Sequence, residues 1–269
     1  MTGQALRVAR AFPVVFRIGA LSALAYRAEF IVWFFAYSMP LIMLALWTAV
    51  AREGPVGRFD APRFQAYFMT TLLVRLLTGC WVAWELTWEI RQGTLAQRML
   101  RPFPPLLAHF CENSGAIPLR LVLVSPILVA TLVWLGPGIF TGDPVQLAII
   151  PLTLVGSFCI MFLVMVTIGM LALWWESSLS IVELWLGFYM VLSGYVIPLE
   201  LFPARVQSVL AWLPYPYLLS FPVENALGFM DRGAALRALA AQWTWVALLL
   251  VVAAVVWRRG QRRFAAFGG

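Results

Sequence analysis

The stretch 145–173 reads VQLAIIPLTLVGSFCIMFLVMVTIGMLAL and contains no charged residue. About twenty apolar residues in a helix cross the hydrocarbon core of a bilayer, so this run is more than long enough to do so. Pro144 and Pro151 near its start suggest a short lead-in before the helix proper. Working outward, five other runs share its character, at roughly 31–50, 64–88, 116–135, 179–197 and 236–257. Of the 269 residues, 62% are hydrophobic and only 12% charged, about half the charge of a typical soluble domain. That leaves too little polar surface to coat a globule in water. The expectation is an all-α membrane protein of six transmembrane helices, forming one transmembrane domain over residues 1–269.

All nineteen basic residues are Arg. A phosphate-binding P-loop needs a Lys in a Gly-rich turn, so this chain cannot supply one, and any ATP-driven step must be powered by another polypeptide. The net charge of +7 comes from Arg residues that flank apolar runs rather than form one patch, which favours a membrane and excludes nucleic acid as a partner. The single His109 and the scattered Cys80, Cys111 and Cys159 fall short of the three or four ligands a zinc site requires. They also define no disulfide framework. The first thirty residues lack the apolar core of a cleavable signal. With both termini inside, twelve Arg lie on the cytoplasmic side and six outside, with Arg75 in a span. This bias matches the positive-inside rule.

Three segments outside the spans carry information. Before the first span, Arg7, Arg10 and Arg17 fall within an arc of about 80° on a helical wheel, as expected of an interfacial helix over 1–30. Pro13 is expected to bend or restart it. Between the second and third spans, Arg91 to Arg101 holds a stretch from Thr94 to Leu100 able to form two turns, closed by Pro102, Pro104 and Pro105. Such a short helix hung between two spans suits docking on a soluble partner. Between the fifth and sixth spans, prolines 198, 203, 214, 216 and 222 break an apolar stretch into helical pieces, one from Pro203 to about Leu213 and another from Leu218 to Leu227. Backbone of this kind is tolerated at membrane depth only when protein or a water-filled cavity covers it. A re-entrant hairpin over 198–227 meets that condition.

Charges inside spans are the default functional candidates. Arg75 lies near the middle of the second span, where a charge costs roughly 2.5–3.5 kcal/mol on insertion scales. Glu85 and Glu89 share one face of that helix, and Glu183 lies one turn inside the fifth span. They could line or gate a translocation path, or lock helices as structural ion pairs. Trp81, Trp84 and Trp88 recur at helical spacing beside the docking loop, as an aromatic belt or a surface for greasy substrates. No carboxylate pair, Ser/His/Asp set or metal cluster supports catalysis, so the chain is not expected to be an enzyme.

In order and spacing these features resemble the permease subunits of type-2 ATP-binding-cassette (ABC) transporters, in a bacterial branch of that family. The resemblance is carried by Ala25-Tyr26-Arg27-Ala28-Glu29-Phe30, by Trp81-Val82-Ala83-Trp84-Glu85, and by Glu89-Ile90-Arg91-Gln92-Gly93-Thr94-Leu95 closed by Leu100-Arg101-Pro102. Further on come Ile197-Pro198-Leu199-Glu200-Leu201-Phe202-Pro203, Phe221-Pro222-Val223-Glu224 and the Arg-rich tail from Arg258 to Phe264. It implies a coupling helix at 91–101 on which a cytoplasmic ABC ATPase docks through Arg91, Gln92, Gly93, Thr94, Leu95, Arg98 and Arg101. ATP and Mg would belong to that ATPase, with no cofactor in this chain. It further implies a second permease, identical or related, contact with membrane lipids, and residence in the bacterial inner membrane. The cargo would be amphipathic or hydrophobic, such as a lipid, a drug-like molecule or a lipid-linked polysaccharide. Path or gate residues would be Arg75, Glu85, Glu183, Pro198, Glu200, Phe202 and Pro203. Two other readings use the same composition: the substrate-binding membrane subunit of an ATPase-linked vitamin importer, and a stand-alone facilitator.

Overall fold

Proline and aspartate set where many of the helices begin. A proline at the first turn gives up an N–H that would be unpaired anyway and presets φ. Met39–Val50, Ala61–Thr78, Pro105–Gly115, Ile117–Leu135 and Pro144–Met170 all start this way. Asp60 and Asp143 cap two of them, accepting from Arg63 N at 2.9 Å and Val145 N at 2.8 Å. The computed structural model describes residues 2–25 and 37–267, with side chains for 8–25 and 37–263. In chain order its helices are α1 (Thr2–Ala25), α2 (Met39–Val50), α3 (Ala61–Thr78), α4 (Val82–Arg91), α5 (Leu95–Met99), α6 (Pro105–Gly115) and α7 (Ile117–Leu135). There follow α8 (Pro144–Met170), α9 (Ser178–Leu192), α10 (Ala204–Leu210), α11 (Tyr215–Leu218), α12 (Ser220–Ala226) and α13 (Arg232–Phe267). No strand forms among the described residues.

Helix α8 is the centre, with α3, α4, α9, α12 and α13 packed on it. From Phe158 to Met170 nearly every α8 side chain is buried, whereas α7 and α13 turn most of their apolar surface outward, including Val122, Val133, Leu250 and Val251. Such large exposed apolar patches would be a liability in water and are what a lipid-facing helix requires.

Five helical stretches are long and apolar enough to cross a membrane: Val8–Ala25, Ala61–Arg91, Pro105–Leu135, Pro144–Leu173 and Arg232–Arg263. The last four match expected spans. Met39–Val50 and Ser178–Leu192 sit where the first and fifth spans are expected, but are shorter apolar helices. Residues 31–36 of that first span, and 26–30 of the motif before it, lie outside the described residues. Val8–Ala25 falls in the segment expected to lie along the interface, yet has the length and hydropathy of a span, and α1 runs through Pro13 without restarting.

The second span departs from expectation in being broken. Gly79 is extended (φ −61°, ψ 140°), and α4 begins three residues later. Arg120 of α7 donates to the freed Gly79 carbonyl and to Leu77 O at 3.5 Å. A Cβ at position 79 would stand 2.7 Å from the Tyr37 hydroxyl. Broken helices persist at membrane depth when neighbours satisfy the backbone in this way. Beyond α9, the chain turns at Gly194 (φ +89°), a conformation L side chains rarely adopt. Tyr67 Oη donates to Gly194 O at 2.9 Å and Trp47 Nε1 to Val196 O at 3.0 Å. The second helix expected in the proline-rich segment, from Leu218 to Leu227, forms as α12, and the single turn α11 comes just before it. Helix α12 packs on α8 and α3, with Phe221, Val223 and Asn225 buried.

Candidate functional site

The loop between the second and third spans folds into one short, braced helix. Gly93 takes a positive φ of 73° and lets the chain reverse out of α4. Leu95 is 1% exposed and anchors α5 in the core. Arg98, one turn on, points back into the bundle. Its Nε lies 2.8 Å from Glu89 Oε1, and its Nη1 donates to both carboxylate oxygens of Glu112 at 2.9 and 3.0 Å. Burial opposes the Arg98 charge, but the bonds to Glu112 and the field of Glu89 outweigh it and raise its pKa above the usual guanidinium value.

His109 completes the cluster. Fully buried on α6, it places Nε2 3.2 Å from Glu89 Oε2 and Nδ1 3.7 Å from Glu85 Oε2. Asn113 Nδ2 donates to Glu85 Oε2 at 3.2 Å. Charged groups from α4, α5 and α6 therefore meet at one point. A fourth helix joins through glycine. A Cβ on Gly115 would stand 2.6 Å from Phe16 O, and one on Gly19 2.7 Å from the Glu112 Cα, so α1 and α6 cross with their backbones in contact.

The outer face of this loop carries Arg91, Gln92, Gly93, Thr94, Gln97, Leu100 and Arg101, all exposed. Leu100 is 87% exposed. Arg91 donates to the Glu176 carbonyl, tying the end of α4 to the turn before α9. Of the residues expected to dock a partner, Arg91, Gln92, Gly93, Thr94 and Arg101 face outward, while Leu95 and Arg98 face inward. Beside the loop lies an open groove of about 370 Å³ lined by Trp84, Glu85, Thr87, Trp88, Arg91 and Leu179. Its walls come from α4 and the start of α9.

The expected path residues are dispersed. Arg75 is buried and forms no ion pair with Glu85 or Glu183; instead its guanidinium lies 4.4 Å from the Tyr37 ring centroid and 5.1 Å from that of Tyr189. Glu85 belongs to the His109 cluster. Glu183 is exposed on the face of α9 that also carries Leu184, Phe188 and Val191. Pro198, Glu200, Phe202 and Pro203 surround the turn Leu199–Leu201 at the start of the hairpin. There Glu200 pairs with Arg58, and Gln207 Nε2 donates to Glu200 O and Phe202 O at 2.9 and 2.7 Å.

Sequence reasoning passed over His109 and Glu112 as partners of Arg98, and Tyr37 and Tyr189 as partners of Arg75. A signal for the first existed: Glu85 and Glu89, four residues apart, are followed by His109 and Glu112 three apart on the next helix. Tyr37 and Tyr189 come from distant elements and left no local pattern. Among the described residues no group of three or more His, Cys, Asp or Glu is arranged to hold a metal ion.

Comparison with curated proteins finds no match. A family model described as "ABC-2 family transporter protein" matches residues 37–268. That match begins after α1 and covers the braced loop, the groove and the hairpin together. The chain accordingly belongs to the ABC-2 transporter family and is a multi-pass membrane permease of the type-2 ABC class, the membrane subunit of an ABC transporter.

Proposed function

We propose that this chain, acting as one permease unit over residues 1–269, exports hydrophobic or amphipathic cargo across the bacterial inner membrane, with both termini cytoplasmic. A separate ABC ATPase holding ATP and Mg drives it by docking on α5 and its flanks. The observation that carries this reading is Leu100, a large apolar side chain 87% exposed at the tip of a helix whose other face is locked into the bundle. Burying a leucine is worth about 1.5–3 kcal/mol. A groove on a soluble partner is where that gain would be collected, with Arg91, Gln97 and Arg101 at its polar rim.

Closure of the ATPase presses on α5. Arg98 passes the push to α4 through Glu89 and to α6 through Glu112, and α6 carries α1 with it across the Gly19–Gly115 contact. Amphipathic cargo is received in the groove between Trp84, Trp88 and Leu179 and released beside the hairpin at 198–227. A second permease, identical or related, covers the exposed α9 face around Leu184 and Phe188. ATP shifts such an equilibrium only through its different affinity for the two states, and the braced loop is where that difference is transmitted.

The test is copurification of the cognate ATPase with membrane-extracted permease. Leu100→Asp with Arg101→Glu should insert normally and lose the ATPase. Undiminished copurification would place docking elsewhere.

A further inference from the structure

Two guanidinium groups converge on the break in the second span without a carboxylate to balance them. Arg75, in the last turn of α3, is 6% exposed, and its Nη1 has no hydrogen-bond partner. It rests on the faces of Tyr37 and Tyr189. Arg120 approaches from α7 and donates to Gly79 O and Leu77 O, and the Gly79 backbone lies directly against the Tyr37 hydroxyl. Tyr37 therefore touches Arg75 with its ring and the residue held by Arg120 with its hydroxyl. No ion pair among the described residues includes either arginine. Glu85, the next acidic residue along this broken span, is taken by Asn113 and His109.

Aromatic faces attract a cation but do not neutralise it, and buried charges in proteins are paired or ligated. Thr71 Oγ1, one turn before Arg75, has no partner, and the contacts Arg75 does make are to neutral tyrosines, Tyr37, Tyr189 and Tyr195. An oxyanion would satisfy the guanidinium fork and the tyrosine hydroxyl together, in the geometry that makes Arg the preferred ligand for planar or tetrahedral anions. The two ring contacts hold the guanidinium in place but supply no negative charge, so the site is suited to an anion.

We propose that Arg75, with Arg120 behind the break, receives the anionic headgroup of an amphipathic cargo within the membrane. This rests on the export reading, because the same broken span lines the groove at its other end. The cargo class is thereby narrowed to amphiphiles carrying a phosphate, sulfate or carboxylate.

The experiment is thermal unfolding of the full chain in a neutral maltoside detergent. It compares dihexanoyl phosphatidylglycerol, dihexanoyl phosphatidylcholine and inorganic phosphate as additives. The wild type should show a larger upward shift with the anionic than with the zwitterionic lipid, and little with phosphate alone. Arg75→Met should lose that excess, read as the shift of the variant with lipid over the same variant without it, and Arg75→Lys should keep part of it. If Arg75→Met does not fold, Tyr189→Phe, which keeps the ring against Arg75 and deletes the hydroxyl, should show a reduced excess. An equal excess in wild type and variants, or none in the wild type, would overturn the proposal. A full shift from inorganic phosphate alone would assign the site to a free anion and overturn its role in cargo recognition. ATPase copurification does not involve Arg75, so the export reading and this inference can fail separately.

Discussion

Arg98 offers the sharpest perturbation. Its guanidinium is about four-fifths buried and makes three short contacts, one to Glu89 and two to Glu112. A hydrogen bond to a charged group contributes about 1.5–3 kcal/mol, and removing one partner of a buried pair costs more because the other charge is left uncompensated. The three contacts share one cation and keep some access to solvent, so they do not add. A loss of about 3 kcal/mol is the reasonable figure for Arg98→Met. At roughly 2–4 °C per kcal/mol for a chain of this size, the unfolding midpoint should fall by about 6–12 °C. Glu112→Gln should also destabilise, and the double variant should fall short of the sum by about 1–3 kcal/mol, because both single changes break the same pair. Arg98→Lys should sit in between, since an ammonium cannot bridge two carboxylates as a planar fork does. The assay is thermal unfolding in detergent for the wild type and all four variants, with cargo-stimulated ATPase activity of the assembled transporter measured alongside. Additivity within about 0.5 kcal/mol, or ATPase stimulation untouched in Arg98→Met, would refute the brace as the route from docking loop to spans.

Gly115→Ala should separate α1 from α6, because its Cβ would meet backbone at Phe16 and Ala20 that cannot swing aside; crosslinking between cysteines placed on the two helices should drop. Gly156→Ala should expel the Gln242 amide, whose Nε2 donates to Thr153 O, Ser157 Oγ and Tyr217 O. Losing those bonds should destabilise by about 1–3 kcal/mol in thermal unfolding, while Gly156→Ala with Gln242→Ala should recover part of the loss. At Asp143, the hydrogen bond from Arg232 holds the carboxyl below the usual carboxylate range. Its contribution is therefore complete above the unfolded value of about 4 and is lost as pH falls through the lower folded value. Asp143→Asn, which keeps a capping oxygen, should flatten the acid limb of the stability–pH profile relative to wild type.

Much of the helical layout was legible because runs of apolar residues and the prolines at their starts are local signals. The short helix Leu95–Met99 was legible for the same reason, since Gly93 and Pro102 bracket it in sequence. The break at 79–81 was not, because Gly79 alone does not reveal that Arg120, forty-one residues on, will satisfy its carbonyl. The orientation of Arg98 was missed for a related cause: a basic residue in an exposed-looking loop reads as a contact for a partner until the carboxylates of two other helices are seen to enclose it. Arg75 was legible as a residue that must face protein, but its tyrosine partners come from segments more than thirty residues away on one side and more than a hundred on the other. In α1 the Arg spacing drew attention to one face, while Val8–Ala25 as a whole has the length and hydropathy of a span.

The most direct test reconstitutes the chain in proteoliposomes with and without its ABC ATPase, and follows ATP hydrolysis together with movement of a fluorescent anionic lipid. The permease alone should hydrolyse no ATP and move no lipid. The assembled transporter should do both, with lipid movement abolished when the ATPase is catalytically dead. Nucleotide hydrolysis or directional transport by the permease alone would contradict the account at its root.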